Sequence, residues 1–289
     1  MSRGREQCTY SRRSSGSDSA GNSDSSDSSD GEVVLRGGIA NEGEVVRLGD
    51  TVRRPQRSWS PATHALLRHL ERVGFEGAPR FLGVDEQDRE VLSYLPGTPV
   101  VAPYPDWALT DEALVSVAEL LRAYHDAVST FDPGPHDWAP APPREFVGNV
   151  LCHNDLNLDN VIFRDGRAAA LIDFDLAGPG SATWDVACAA RLWAPLRADV
   201  DIVDARRGHG LGRLRLFVDS YGLDEVDRGR VVEGARLNYL WFCTLIRESA
   251  ASGHAAFARY WRSVSGARVD RTVRWFDDNA AELRAALRA

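Results

Sequence analysis

Oxygen-bearing side chains occur in two short stretches near the middle of the sequence. His153-x-Asp155-x4-Asn160 follows one run of apolar residues, and Asp173 follows another, thirteen positions after Asn160. Phosphoryl transfer from ATP needs a carboxylate that orients an acceptor hydroxyl and takes its proton, and oxygen ligands that hold Mg²⁺ against the phosphates. Asp155 is therefore the candidate catalytic base, and Asn160 and Asp173 are the candidate magnesium ligands.

Three residues of these stretches have competing interpretations. Asp175 is either a second carboxylate of the site or a turn residue, because one carboxylate of the pair with Asp173 is enough to contact a metal. His153 is expected to be a buried, hydrogen-bonded strut rather than a proton carrier. The structural alternative for Asp155 is a turn residue that bonds its neighbouring backbone.

The elements around these residues are predicted from hydrophobic periodicity and turn signals. Strands over 147–152, 161–163 and 169–172 flank the two stretches, and Asp165-Gly166 predicts a hairpin between the last two. Upstream, strands are predicted over 33–35, 44–48, 51–54, 81–84 and 90–95, with one helix that Ser60-Pro61 begins and Gly74 ends. Helices are predicted after Thr110 and over 184–193, 211–221, 226–250 and 254–284. The pattern predicts an α+β fold: a small antiparallel sheet with one helix, then a larger, mainly helical part.

The two stretches resemble the catalytic and metal loops of the protein-kinase-like fold, and above all those of the aminoglycoside phosphotransferase family. The helix end at His125, the segment Leu95-Pro-Gly97 and the pair Trp184-Asp185 are similar to segments of the same family. The resemblance covers residues from about 33 to 190. It implies a two-lobed kinase-like fold with ATP and Mg²⁺ between the lobes, and a small-molecule hydroxyl acceptor of the aminoglycoside, amino sugar or amino alcohol type.

The resemblance also implies roles for residues outside the two stretches. Asp185 would brace the catalytic loop. Gly37 and Gly38 would let backbone amides approach the phosphates, although the pair is equally consistent with a plain hairpin turn. The backbone from Ser93 to Leu95 would meet the adenine.

One expected residue is missing, because the chain contains no lysine and all 34 of its basic residues are arginine. The third strand of this fold usually presents a lysine to the phosphates, paired with a glutamate on the following helix. Arg54 shares the strand face of Val52 and is the expected substitute, with Arg53 as the alternative. The one acid between Pro55 and Gly74, Glu71, is a poor match for the usual partner.

Two features favour a small-molecule kinase over a protein kinase. Only eleven residues separate Asp173 from Asp185, too few for an activation segment. Asn157 stands two positions after Asp155, where protein kinases typically carry a lysine. A second hypothesis, motivated by the missing lysine and glutamate, is a nucleotide-binding module that is weak or inactive as a catalyst.

Charge and composition limit the partners. Residues 32–185 carry 13 arginines and 24 acids, which disfavours nucleic acid as a partner, whereas residues 186–289 are net basic at +4. Because the acceptor pocket of such kinases comes largely from the C-terminal helices, this basic balance does not favour a polycationic acceptor. Scattered cysteines and the absence of an 18-residue apolar run predict a cytoplasmic protein with no membrane partner. The predicted organisation is a disordered tail over 1–31, a nucleotide-binding lobe over 32–98 and a catalytic, acceptor-binding lobe over 99–289.

Overall fold

The computed structural model describes residues 31–35, 43–134, 136–264 and 266–288 of the 289-residue chain. Residues from Glu32 onward form one compact unit. The predicted tail, apart from Gly31, and the Gly37-Gly38 pair lie outside the described residues.

A five-stranded antiparallel sheet forms the first part of the described chain. Its strands are β1 (Val33–Val34), β2 (Val46–Leu48), β3 (Thr51–Pro55), β4 (Phe81–Val84) and β5 (Arg89–Ser93), and helix α1 (Ser60–Arg72) connects β3 to β4. The strand order is β1-β2-β3-β5-β4. In α1, Leu66, Leu67 and Leu70 recur at helical spacing and are fully buried, so this helix packs through one apolar face.

The two chemistry-bearing stretches lie among shorter strands. These elements are β6 (Thr98–Pro99), α2 (Asp111–Val128), β7 (Val150–Cys152), β8 (Val161–Arg164), β9 (Arg167–Leu171) and β10 (Gly178–Gly180). The strands form a three-stranded sheet, β6-β8-β9, and a two-stranded sheet, β7-β10. The predicted hairpin is confirmed, since Asp165 and Gly166 join β8 to β9 with φ values of 50° and 77°, as a tight turn of this type requires.

Helices make up the rest of the described chain. They are α3 (Ala182–Trp193), α4 (Gly210–Tyr221), α5 (Glu225–Ala251), α6 (Ala255–Val264) and α7 (Ala267–Arg288). The prediction of one helix over 254–284 is wrong, because the chain turns between α6 and α7, where Gly266 has a φ of 70°. Apolar residues recur at helical spacing on both sides of this turn, so periodicity alone does not reveal it.

The main core forms around α2. Thr110 caps this helix by accepting a hydrogen bond from the Ala113 amide at 3.2 Å. Leu114, Val117 and Leu121 are fully buried within one apolar cluster that includes residues of α1, β8, α3, α4 and α7. The predicted α+β architecture is thus confirmed. In the described part of the chain, no helix combines the length and apolarity needed to cross a membrane.

Gly97 is held in a tight position between β5 and β6. Its φ of 143° lies in a region that side chains rarely adopt. A Cβ atom built here would lie 2.4 Å from Cγ2 of Ile162 and 2.7 Å from the carbonyl oxygen of Phe163. The linker therefore packs closely on β8 because residue 97 has no side chain.

We expect Gly97→Ala to destabilise the protein through backbone strain and through this steric clash. Gly83→Ala is the matched control, because Gly83 has a φ of 142° but nothing within 4 Å of a built Cβ. Strain alone should cost about 1–3 kcal/mol in each variant. The clash should add about 1–3 kcal/mol for Gly97→Ala alone. Urea titration of both variants measures the difference, and equal free energies of unfolding would contradict the close packing.

Candidate active site

The loop from His153 to Asn160 is held by the buried carboxylate of Asp185, which belongs to α3. Its Oδ2 accepts the backbone N–H of His153 at 2.7 Å, and its Oδ1 accepts that of Asn154 at 2.8 Å. His125 of α2 donates from Nε2 to Oδ2 at 2.9 Å. Asp185 is fully buried. Asp185 therefore acts as a brace that connects this loop to α2 and α3.

The same loop is tied to the stretch that carries Asp173. His153 donates from Nε2 to the carbonyl oxygen of Ile172 at 3.0 Å, the contact expected of a strut. Asn154 donates from Nδ2 to the carbonyl oxygen of Leu176 at 2.8 Å. Asn154 and Asp173 have φ values of 65° and 63°, a left-handed conformation that Asn and Asp tolerate better than most residues. These bonds and turns bring the two stretches together.

The structure brings Asp155, Asn157, Asn160 and Asp173 to one cavity. Asn157 donates from Nδ2 to Oδ1 of Asp155 at 2.9 Å, and Asn160 donates from Nδ2 to the Asp155 carbonyl oxygen at 2.8 Å. Burial, followed by the negative charges of Asp173 and Asp159, raises the pKa of Asp155 to about 8. The Asp155 carboxyl group therefore lies in an environment that favours binding a proton.

The donor set fits a magnesium ion. The Asn160 amide nitrogen also contacts Oδ2 of Asp155 at 3.2 Å, which leaves the amide oxygen of Asn160 for a cation. Oδ1 of Asp173 is bonded by Arg54, which leaves the other carboxylate oxygen. Amide and carboxylate oxygens suit Mg²⁺, which keeps several waters and takes phosphate oxygens. The described residues contain no cluster of three or more His, Cys, Asp or Glu side chains able to hold a metal.

Arg54 is buried among three carboxylates at the edge of this site. Its Nε donates to Oε1 of Glu90 at 2.5 Å, its Nη1 to Oδ1 of Asp173 at 2.7 Å, and its Nη2 to Oδ1 of Asp175 at 2.7 Å. Burial alone would lower the pKa of Arg54, but the charges of these carboxylates raise it. Asp175 is thus an ion-pair partner of Arg54, and not only a turn residue.

The acid that pairs with Arg54 comes from a strand. Glu90 lies on β5 with 1% of its surface exposed, and His64 of α1 donates from Nε2 to its Oε2 at 2.8 Å. Glu71 is the acid that lies closest in sequence to the position of the usual helix glutamate, and its side chain is exposed. Sequence reasoning missed Glu90 and His64. The available signal was that Glu90 shares the inward face of β5 with Leu92.

The two adjacent arginines of β3 lie on opposite faces. Val52 and Arg54 line a cavity of about 380 Å³. Nε of Arg53 lies 3.6 Å from Oδ2 of Asp85, and Arg53 does not line this cavity. Of the two candidates for the phosphate-binding position, Arg54 is therefore the one that faces the cleft.

Ser93 and Leu95 also line the 380 Å³ cavity. The Ser93 amide already donates to the Arg80 carbonyl oxygen at 2.9 Å, and the Tyr94 amide to that of Asp50 at 2.8 Å. Of the three described residues Ser93, Tyr94 and Leu95, it is Leu95 whose backbone amide donates no hydrogen bond. A donor to a bound base would thus come from Leu95 and not from Ser93.

The second cavity, the one that Asp155 lines, has a volume of about 520 Å³. Asp159, Asn160 and Asp173 line both cavities, so the two meet at the candidate metal ligands. The walls of the second cavity include Trp59, which donates from Nε1 to the Asp175 carbonyl oxygen at 2.7 Å. Residues of α5 and α6 complete these walls. The sequence indicated that the C-terminal helices contribute to such a pocket, but it did not identify most of these residues, because no local motif marks residues that meet only through helix packing.

Comparisons with known proteins agree with this arrangement. A model of the phosphotransferase enzyme family (APH) matches residues 136–217. The trifolitoxin immunity protein of Rhizobium leguminosarum bv. trifolii is 36% identical over 206 residues, which are 65% of this chain and 74% of that protein.

Two solved structures share the fold. A choline/ethanolamine kinase family protein from Mesorhizobium loti has a TM-score of 0.60 at 16% identity, with 91% of this chain and 94% of that chain covered. A variant of aminoglycoside 2′-phosphotransferase-IIIa in complex with GDP has a TM-score of 0.56 at 14% identity, with 89% and 93% covered. The fold is therefore the two-lobed, protein-kinase-like one. The chain belongs to the phosphotransferase enzyme family and is a small-molecule kinase.

Proposed function

We propose that this protein transfers the γ-phosphoryl group of ATP to a hydroxyl group of a small molecule. The observation that carries the proposal is that Asn160 and Asp173 line both cavities, and that Asp155, which accepts a hydrogen bond from the Asn160 amide, lines the larger one. The cavity lined by Arg54 and Leu95 would bind the nucleotide, and the cavity lined by Asp155 would bind the acceptor. This division would put the candidate base on the acceptor side and the candidate metal ligands between the two substrates.

Asp155 would orient the acceptor hydroxyl and accept its proton as the new phosphate ester bond forms. Asn157 holds the Asp155 carboxylate through its amide group. Asn160 and Asp173 would hold Mg²⁺, and the ion, when bound, would offset negative charge on the phosphates. Asp185 would keep the loop in place without contact with the reactants, and Gly37 and Gly38 stay candidates for phosphate contact.

Arg54 would bind the nucleotide phosphates in place of a lysine. One guanidinium faces the three carboxylates of Glu90, Asp173 and Asp175, so the group has an excess of negative charge. A divalent cation on Asp173 would reduce this excess and would free one guanidinium N–H for a phosphate oxygen. Glu90 and His64 would then play the positioning part that a helix glutamate plays in the family.

The relatives' names suggest the acceptor class. They include a choline/ethanolamine kinase family protein and aminoglycoside phosphotransferases, so we propose an amino alcohol or amino sugar hydroxyl as the acceptor. A protein substrate is disfavoured, since a short turn (Phe174–Leu176), β10 and the start of α3 fill the chain between Asp173 and Asp185. We further propose a cytoplasmic protein with lobes over 32–98 and 99–289.

The alternative function is a nucleotide-binding module without useful turnover. It is favoured by the observation that each guanidinium nitrogen of Arg54 (Nε, Nη1 and Nη2) already contacts a carboxylate oxygen. Thermal-shift titration with Mg·ATP, combined with an assay of slow ATP hydrolysis, separates the two functions. Stabilisation without any turnover would support the module.

We expect Asp155→Asn to lower kcat for acceptor phosphorylation by about 10²–10⁴-fold, because an amide cannot accept the hydroxyl proton. The dissociation constant for Mg·ATP should change little. A coupled ADP-release assay and a nucleotide-binding titration measure the two quantities. Asp165→Asn, at the exposed hairpin turn, is the control that should behave as wild type. Wild-type turnover in Asp155→Asn would show that the base is another residue.

We expect Arg54→Ala to weaken Mg·ATP binding by about 10–100-fold, the size of a lost charge-assisted hydrogen bond. Arg53→Ala should leave this binding nearly unchanged. Because Arg54→Ala leaves the buried Glu90 carboxylate without its arginine partner, it should also lower the free energy of unfolding by about 3–5 kcal/mol. The double variant Arg54→Ala/Glu90→Gln should regain part of the stability but not the nucleotide affinity. A loss of affinity confined to Arg53→Ala would reverse the assignment of the two arginines.

The Asp185 brace predicts a pH-dependent stability. Burial alone would raise the pKa of Asp185, but hydrogen bonds and charge from His125 and His153 lower it below its ordinary value. Its stabilisation is thus present above the ordinary carboxyl pKa of about 4 and is lost as the pH falls through the lowered value.

Asp185→Asn should lower the free energy of unfolding by about 3–5 kcal/mol at pH 7. The difference in this free energy between the variant and the wild type should become smaller as the pH falls below about 4. Unfolding titrations across pH test this, with Asp278→Asn at an exposed site of α7 as the control. A difference that does not depend on pH would contradict the brace.

A further inference from the structure

Outside the catalytic loop, the lining of the 520 Å³ cavity is mainly apolar. This apolar wall is formed by Trp59, Leu176, Phe242, Leu245, Ile246 and Phe257, and polar residues such as Glu248, Ser249 and Ser252 also line the cavity. A cavity of this size falls within the range that holds drug-sized ligands, about 300–1,000 Å³. A two-carbon amino alcohol would leave most of this wall in contact with water.

Two of the aromatic rings are held in place before any ligand binds. The Trp59 indole is fixed by its hydrogen bond to the Asp175 carbonyl oxygen at 2.7 Å. His254 packs edge-on against Phe257 with ring centroids 4.8 Å apart. Binding against such rings loses little side-chain entropy, which favours a ligand with an apolar body.

The acidic residues that line this cavity lie mainly in the catalytic loop and in the turn that follows β9. Asp155 and Asp159 belong to that loop, and Asp173 and Asp175 are ion-paired with Arg54. Outside these two segments, Glu248 is the acidic residue that lines the cavity in the described chain. An amine of the acceptor would therefore face a carboxylate, while its body would face the apolar residues.

Resting on the proposed function, we infer that the acceptor is a hydroxyl-bearing molecule with an aromatic or branched aliphatic body. Phe242, Phe257 and Trp59 contact its body, and its hydroxyl faces Asp155. In the transfer, the hydroxyl oxygen bonds to the γ-phosphorus, the bond from that phosphorus to the β-γ bridging oxygen breaks, and the hydroxyl proton passes to Asp155. ADP leaves with the electron pair of the broken bond.

The test uses one amino alcohol with increasing apolar groups: ethanolamine, leucinol, phenylalaninol and tryptophanol, with kanamycin as the polycation. In the coupled ADP-release assay of the full chain with Mg·ATP, kcat/KM for phenylalaninol or tryptophanol should exceed that for ethanolamine and for kanamycin by about 30-fold. That ratio corresponds to about 2 kcal/mol. A flat series, or kanamycin as the best acceptor, would overturn the inference and leave the proposed function in place.

Phe242→Ala should reduce the ratio of kcat/KM for phenylalaninol to kcat/KM for ethanolamine by about tenfold. Trp107→Ala is the matched control, since Trp107 is an aromatic residue with 39% exposure that lines neither cavity. An equal effect of both substitutions would overturn the assignment of the wall.

Calorimetric titration separates failure of this inference from failure of the proposed function. If no acceptor is phosphorylated, phenylalaninol or tryptophanol should still bind about 30-fold more tightly than ethanolamine in the presence of Mg·ADP. That result would support the inference while the proposed function fails. Equal or absent binding of all four amino alcohols would overturn the inference as well.

Discussion

The candidate site depends on a single buried carboxylate that is surrounded by donors. Asp185 accepts two consecutive backbone N–H groups of the catalytic loop and one imidazole N–H from α2. A charge without water is stable only when its hydrogen-bonding capacity is used, so these three donors and the carboxylate determine one another's positions. Because α2 also contributes to the main apolar core, Asp185 connects the candidate catalytic loop directly to that core.

A second ionic group connects the five-stranded sheet to the catalytic residues. Arg54 extends from β3 to Asp173 and Asp175, while Glu90 and His64 fix its other side. The planar guanidinium carries its donors in a fixed fork, which lets one side chain donate to three carboxylates that lie in different directions. A chain without lysine thereby keeps a cation at this position, with its partner acid supplied by a neighbouring strand instead of a helix.

The two cavities differ in what their walls offer, although they share three residues at their junction. The proposed nucleotide side is lined mainly by aliphatic side chains and one arginine, whereas the proposed acceptor side adds aromatic rings from α5, α6 and Trp59 and several carboxylates. Family membership determines the reaction class, but the choice of acceptor would depend on this second lining.

The sequence by itself determined the α+β fold, the hairpin at Asp165-Gly166 and the identity of the candidate base and metal ligands. Those features depend on residue types at short, regular spacings, and local backbone preferences act over the same distances. It also placed Arg54 rather than Arg53 toward the cleft, because strand alternation is a local rule. Only the tertiary structure decided that Glu90 and His64 complete the arginine site and that α6 and α7 are separate helices. It alone also showed that aromatic residues about 180 positions apart in sequence form one wall. These outcomes depend on packing between distant segments, where burial of charge and of apolar surface, rather than spacing along the chain, selects the neighbours.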